Sequence, residues 1–290
     1  MRFFRPVEVA IKELPWITSL PLAAFINPAA AAFCSKLLAG AYHPQVLLKI
    51  LPRQKLIYVS VPKSASTRIR RTMARAGGRL TRSLNSARRA RYRDPYGLRH
   101  MTVDAFFRLA TDAETMRFSF VRNPYARAVS CWSEKFAGRP LVAGEPCIDS
   151  YLAARKHIDS NLPAGADRFL SFAEFVHFAE ATAKARLDTH LQTQDDLLTV
   201  PGISLDLIGK VESFDADFSR VLDHMNASEA VRRDATIPLN ESHHDDWGNY
   251  YTPGLADRIY RAYECDFDRF GYARAIGNVR IPAARSSACR

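Results

Sequence analysis

From residue 55 onward the chain alternates short apolar runs with stretches of helical spacing. Lys55–Val61 (KLIYVSV) is a β-branched and aromatic run of strand length, closed by Pro62. Met116–Val121 (MRFSFV) and Leu207–Lys210 (LIGK) read as two further strands. Apolar residues at helical spacing predict helices over Thr67–Ala76, Val103–Ala110, Ala126–Phe136, Phe172–Lys184, Asp215–His224 and Gly254–Tyr263. Strands alternating with helices predict βαβ units and a parallel sheet. Three strands are few for such a sheet, and a fourth is expected between Gly78 and Leu84. Ligands of open α/β sheets bind beyond the carboxyl ends of the strands. Those ends here carry Lys63 and Arg122.

Two strand-to-helix junctions have the chemistry of anion cradles. After the first strand come Pro62, Lys63, Ser64, Ala65, Ser66 and Thr67, where a helical pattern starts. Backbone N–H groups of a tight loop and the positive end of a helix favour a phosphate or sulfate. Lys63 adds a full charge, and Ser64, Ser66 and Thr67 add hydroxyl donors. The loop lacks glycine and its lysine comes early, unlike the G-x-x-x-x-G-K-[ST] loop of nucleotide triphosphatases. The second junction is Arg122-Asn123-Pro124, with proline where the first helical residue tolerates it. Arg122 is placed to fork onto a phosphate, and Ser130 follows about two helical turns on. Taken singly, Arg122 also fits a surface ion pair and Ser130 a solvated helix position. Together the two junctions suggest one ligand with two separate phosphate groups.

PKSAST (Pro62–Thr67) and VRNPYARAVS (Val121–Ser130) resemble the two cofactor motifs of the sulfotransferases. The likeness is greatest to the membrane-type carbohydrate sulfotransferases (sulfotransferase family 2, which includes the uronyl 2-O and chondroitin enzymes). DLIGKVESF (Asp206–Phe214), THLQTQ (Thr189–Gln194), Asn249–Pro253 and Tyr263–Tyr272 resemble further family segments in the right order. The resemblance runs from about Lys55 to Tyr272. It implies an α/β fold with a P-loop-NTPase-like parallel sheet flanked by helices. It also implies PAPS (3′-phosphoadenylyl sulfate) as co-substrate. Pro62, Lys63, Ser64, Ala65, Ser66 and Thr67 would then hold the 5′-phosphosulfate, and Arg122 and Ser130 the 3′-phosphate. His100 resembles the family's catalytic histidine. The chain departs from the uronyl 2-O enzymes there, with Arg99-His100 in place of a His-x-His pair.

Sulfuryl transfer to a hydroxyl needs a cation at the bridging oxygen and a base for the acceptor's proton. Lys63 fits the first role. His100, in a loop-like stretch between the two junctions, fits the second, because a free imidazole titrates near neutrality. A structural or surface histidine is the plainer alternative. His190, in the polar stretch Asp188–Asp196, is the second candidate base or an acceptor-orienting group. His243-His244-Asp245-Asp246 has poor spacing for a metal and reads as a polar loop, so no metal is expected.

With 290 residues, 47% of them hydrophobic, the chain can bury one full core. The expected organisation is a helical, apolar N-terminal extension (1–54), one sulfotransferase domain (55–275) and a C-terminal tail (276–290). The net charge of +11 concentrates in Arg68–Arg99. That run would draw the donor and an acidic acceptor. A carbohydrate or glycolipid acceptor, anionic in character, is the expected partner. No helix-turn-helix, zinc-finger or RNP pattern points to nucleic acid.

Five scattered cysteines without a C-x-x-C favour reduced core thiols and a cytoplasmic setting. Leu14–Ser35 is uncharged, but Pro15, Pro21 and Pro28 interrupt it. Peripheral membrane contact is expected of this segment rather than a span. Two alternatives to the transferase remain open on the residues: a P-loop-type nucleotide-dependent kinase, and a non-catalytic module for anionic glycans. The first lacks a late loop lysine and an evident Mg²⁺-binding carboxylate.

Overall fold

The computed structural model describes residues 47–77, 103–137, 170–183, 188–237 and 246–276. In chain order the strands are β1 (Leu48–Leu51), β2 (Leu56–Val59), β3 (Met116–Val121) and β4 (Leu207–Lys210). The helices are α1 (Ser66–Ala76), α2 (Val103–Thr111), α3 (Pro124–Lys135), α4 (Phe172–Thr182) and α5 (Gln194–Leu198), followed by α6 (Phe214–His224), α7 (Glu229–Ala235), α8 (Pro253–Ala262) and α9 (Glu264–Phe270). The chain forms two compact units. Among the described residues the first holds 47–61, 65–77, 103–120 and 198–237, and the second 62–64, 121–137, 170–183, 188–197 and 246–276.

The first unit carries a four-stranded sheet in the order β1-β2-β3-β4. β2 and β3 are parallel, with Leu56 opposite Met116 and Val59 opposite Ser119. β1 and β2 are antiparallel, with Leu48 opposite Val59. The expected α/β fold, a mostly parallel sheet flanked by helices, is present, with β1 added as an antiparallel edge strand. A hairpin edge strand on a parallel sheet is a common arrangement. The hairpin turns through Pro52–Gln54 and Lys55, whose φ of 46° is left-handed. That turn geometry starts β2 at Leu56 rather than Lys55. The observed fourth strand is β1, which lies ahead of residue 55. The strand expected at Gly78–Leu84 falls outside the described residues.

Every residue of β2 is buried, as fits a strand covered on both faces. Around it Tyr58 stacks on Phe118 at 4.9 Å, and Phe120 meets Phe214 at 5.0 Å. Gly209 in β4 is required by this packing. A Cβ there would lie 2.6 Å from the Phe120 ring and 3.0 Å from Asp217. β3 and β4 are also tied by a bidentate pair, Arg117 to Asp206, at 2.7 and 2.8 Å. Burial opposes ionisation of Asp206, but the Arg117 guanidinium and amide outweigh it and hold the carboxyl below its usual range.

α1 buries Ile69, Thr72 and Met73. Its arginines look after the fold. Arg71 and Arg75 both donate to Asp234, at 2.7 and 2.8 Å, and Arg68 lies over the Phe214 ring and pairs with Asp215. The described start of the basic run is thus a set of intra-unit ion pairs. The expected acceptor-attracting role has no support from these three residues.

The second unit packs α3, α4, α8 and α9 around Tyr125, Val129, Phe175, Phe178, Ile259 and Phe267. Ser171 and Glu174 form a reciprocal cap on α4, and Thr252 and Pro253 start α8. Ile276 is buried in the same core. Cys131 is a buried core thiol, as expected, but Cys265 is disulfide-bonded. An odd cysteine count excludes complete pairing, not a single bridge, so the cysteines do not point to a reducing compartment. Among the described residues no helix is long and apolar enough to cross a membrane. Leu14–Ser35 lies outside them.

Candidate active site

The first expected junction begins where Val61 gives way to Pro62. Lys63 takes a left-handed φ of 69°, which a lysine adopts only when its surroundings over-determine it. Its side chain is 7% exposed and its Nζ pairs with the Glu134 carboxylate. Burial opposes ionisation of Glu134, but Lys63 and Lys135 outweigh it and hold the carboxyl down at about 2. Ser64 is fully buried. The chain then enters Ala65, the residue before α1, which is also left-handed (φ 56°) and offers no side-chain cap. Ser66 and Thr67 form the first turn of α1.

The second junction is built as the residues foretold. Asn123 caps α3 by accepting the Tyr125 N–H at 2.9 Å, and Pro124 is its first residue. Proline lacks the N–H that a first helical position leaves unpaired, so α3 starts two residues earlier than the apolar spacing alone suggested. Ser130 is buried within α3.

The two turns lie against each other. The Arg122 guanidinium Nη1 is 3.5 Å from the Lys63 carbonyl. Gln194 ties them further. Its Oε1 accepts the Arg122 N–H at 2.9 Å and the Ser64 hydroxyl at 3.2 Å, and its Nε2 donates to the Arg122 carbonyl at 2.8 Å. Behind it the Asp266 carboxylate accepts the Gln194 and Asp195 amides at 2.9 and 2.8 Å. Burial pushes Asp266 up to about 6, against the pull of Arg127 and those amides.

Arg127 is the hub of this unit. Only 3% exposed, it donates to the carbonyls of Pro62 (3.2 Å), Gln192 (2.8 Å), Thr189 (3.2 Å) and His190 (3.2 Å). One guanidinium thus holds the lysine turn and the 189–192 segment together. His190 is half-buried, and its Nδ1 lies 2.8 Å from Asp188 Oδ1. A carboxylate partner requires the proton on Nδ1, so that in the neutral imidazole Nε2 is the acceptor. His100 lies outside the described residues. So do His243, His244 and Asp245. Among the described residues no cluster of three or more His, Cys, Asp or Glu is placed to hold a metal.

The model of the sulfotransferase family matches residues 47–273. This chain belongs to the sulfotransferase family. Carbohydrate sulfotransferase 12 of Mus musculus is 25% identical to it over 258 residues, covering 77% of this chain and 59% of the relative. Carbohydrate sulfotransferase 11 of Danio rerio is 26% identical over 239 residues, covering 76% of this chain and 65% of the relative. The chain therefore spans about three fifths of the length of the curated relatives it matches. No solved structure matches it significantly.

Of the site residues the sequence had named, Pro62, Lys63, Ser64, Arg122, Ser130 and His190 fall in the second unit, and Ala65, Ser66 and Thr67 in the first. Two residues escaped the sequence. Gln194 lies inside the THLQTQ segment, but nothing in a glutamine's neighbours says which backbone it will pair with. Arg127 carried a readable signal: an arginine amid Ala126, Ala128 and Val129, on a face that proves buried, needs partners.

Proposed function

We propose that this sulfotransferase moves the sulfuryl group of PAPS to a hydroxyl of a carbohydrate or glycolipid. The carrying observation is the pair of turns joined by Gln194, which sets Lys63 and Arg122 side by side. A lysine and an arginine on adjoining turns, with buried hydroxyls near them, form a donor set suited to the two anionic ends of an adenosine bisphosphate. The family match and the names of the relatives agree with it.

The roles follow from charge. The acceptor oxygen attacks sulfur in line while His100 takes its proton. The sulfur–oxygen bond to the 5′-phosphate breaks, and adenosine 3′,5′-bisphosphate (PAP) leaves with the bonding pair. Lys63 neutralises charge building on that leaving oxygen. Pro62 to Thr67 surround the phosphosulfate, and Arg122 with Ser130 fixes the 3′-phosphate, so that rate comes from positioning as well as charge. His190, oriented by Asp188, is the second candidate for the base or for steering the acceptor.

Thermal shift is the first test. PAP should raise the Tm by mass action, and ATP with Mg²⁺ should raise it far less. A radiolabelled sulfate donor, incubated with a panel of glycans and glycolipids, then reads transfer directly. Equal shifts from both nucleotides, or no transfer to any hydroxyl, would remove the assignment.

A further inference from the structure

Gln194 is fully buried, and each polar atom of its side chain has a partner. A backbone N–H can only donate and a carbonyl can only accept, so the partners dictate which end of the amide is oxygen. The side chain pairs with both backbone groups of Arg122, as a neighbouring strand would, just past the end of β3. The oxygen that takes the Arg122 amide also takes the Ser64 hydroxyl from the lysine turn. The clamp is itself anchored, because both Asp266 oxygens grip the amides at the start of α5. Asp195 is further tied to Arg269 at 2.6 Å.

We propose that Gln194 is a positioning residue that sets the separation of the lysine-bearing and arginine-bearing turns, and so selects a ligand with two anionic ends over one with a single phosphate. This rests on the PAPS reading above. When one molecule binds at two places, the second contact forms at a high effective concentration only if the spacing is held. A loosened clamp leaves each turn able to meet a phosphate singly and removes the advantage of meeting both. Gln194 touches no ligand in this scheme and acts through Arg122 and Ser64.

Calorimetry with PAP, adenosine 5′-phosphate and adenosine 3′-phosphate tests it on wild type, Gln194→Leu, Gln194→Glu and Ser64→Ala. Wild type should prefer PAP to either monophosphate. Gln194→Leu should weaken PAP roughly tenfold or more, on the scale of lost chelation. Its effect on the monophosphates should stay within about threefold. Gln194→Glu keeps the acceptor oxygen and loses the donor, and should fall between. Ser64→Ala cuts the tie to the lysine turn but also removes a hydroxyl offered to the phosphosulfate, so Gln194→Glu decides the matter if Gln194→Leu fails to fold by Tm.

A folded variant that keeps the wild-type preference overturns the proposal. So does an equal loss for all three ligands, which marks a merely structural residue. A wild-type protein that does not bind PAP sinks the donor reading itself, and this inference with it.

Discussion

At the residue scale the candidate site is a set of charges already paired with one another. Lys63 is held by Glu134, a carboxylate that the proposed phosphosulfate would have to displace. Glu134→Gln removes that competitor and should tighten PAP binding by roughly two- to tenfold, as expected for one charge at a partly buried anion site. Calorimetry checks it, and weaker binding would show that Glu134 positions Lys63 instead. The pair also has a pH signature. Glu134 titrates near 2 when folded, against an ordinary 4.5. Its depressed value means its stabilisation is full above about pH 4.5 and fades as pH falls towards 2. The Tm gap between wild type and Glu134→Gln should close over that window.

Arg122 has a different reading. If Arg122 holds the 3′-phosphate as proposed, its truncation to alanine should cost PAP binding about 2 kcal/mol. Undiminished affinity would deny it that role. His100→Ala should cut turnover by roughly a hundredfold or more with PAP affinity nearly unchanged, the range for loss of a general base. Should turnover persist, the same assay on His190→Ala locates the base on the imidazole oriented by Asp188.

At the element scale the fold relies on a few close approaches. β4 passes so near the Phe120 ring that no side chain fits at Gly209. Gly209→Ala should destabilise the protein by about 1–3 kcal/mol, the usual cost of overpacking, read as a lower denaturation midpoint. α3 is the other critical element. Arg127 projects from it into four carbonyls, so Arg127→Ala leaves those groups without their donor. A loss of roughly 3 kcal/mol or more is expected, with PAP affinity falling too.

Most elements were readable beforehand, because amphipathic helices and β-branched strands declare themselves by period. β3 and β4 fall on their expected residues, and α6 and α8 begin one residue early. β1 escaped because LKIL is too short to show alternation, and only its pairing with β2 makes it a strand.

At the scale of the whole molecule, two compact units each own an aromatic-rich core. The chain passes between them after Val61, after Ser64, after Phe120 and after Leu197. The disulfide at Cys265 belongs to this scale as well. In denaturant without reductant, peptide mapping should find Cys265 unmodified by an alkylating reagent and Cys131 modified. Prior reduction should expose both. Cys265 labelled before reduction would remove the bridge.

The sequence by itself determined the residues and their order: a lysine after one strand, an arginine after another, helices to follow both, and the family to which that combination belongs. These are local matters, set by residue type and by spacing along the chain. Only the tertiary structure decided that Gln194 joins the two turns, that Glu134 occupies Lys63, that Arg127 gathers four carbonyls, and that the arginines of α1 serve the fold. Each of these pairs residues 62 to 167 positions apart. A hydrogen bond or ion pair is chosen by proximity in space, and no period or propensity along the chain encodes it.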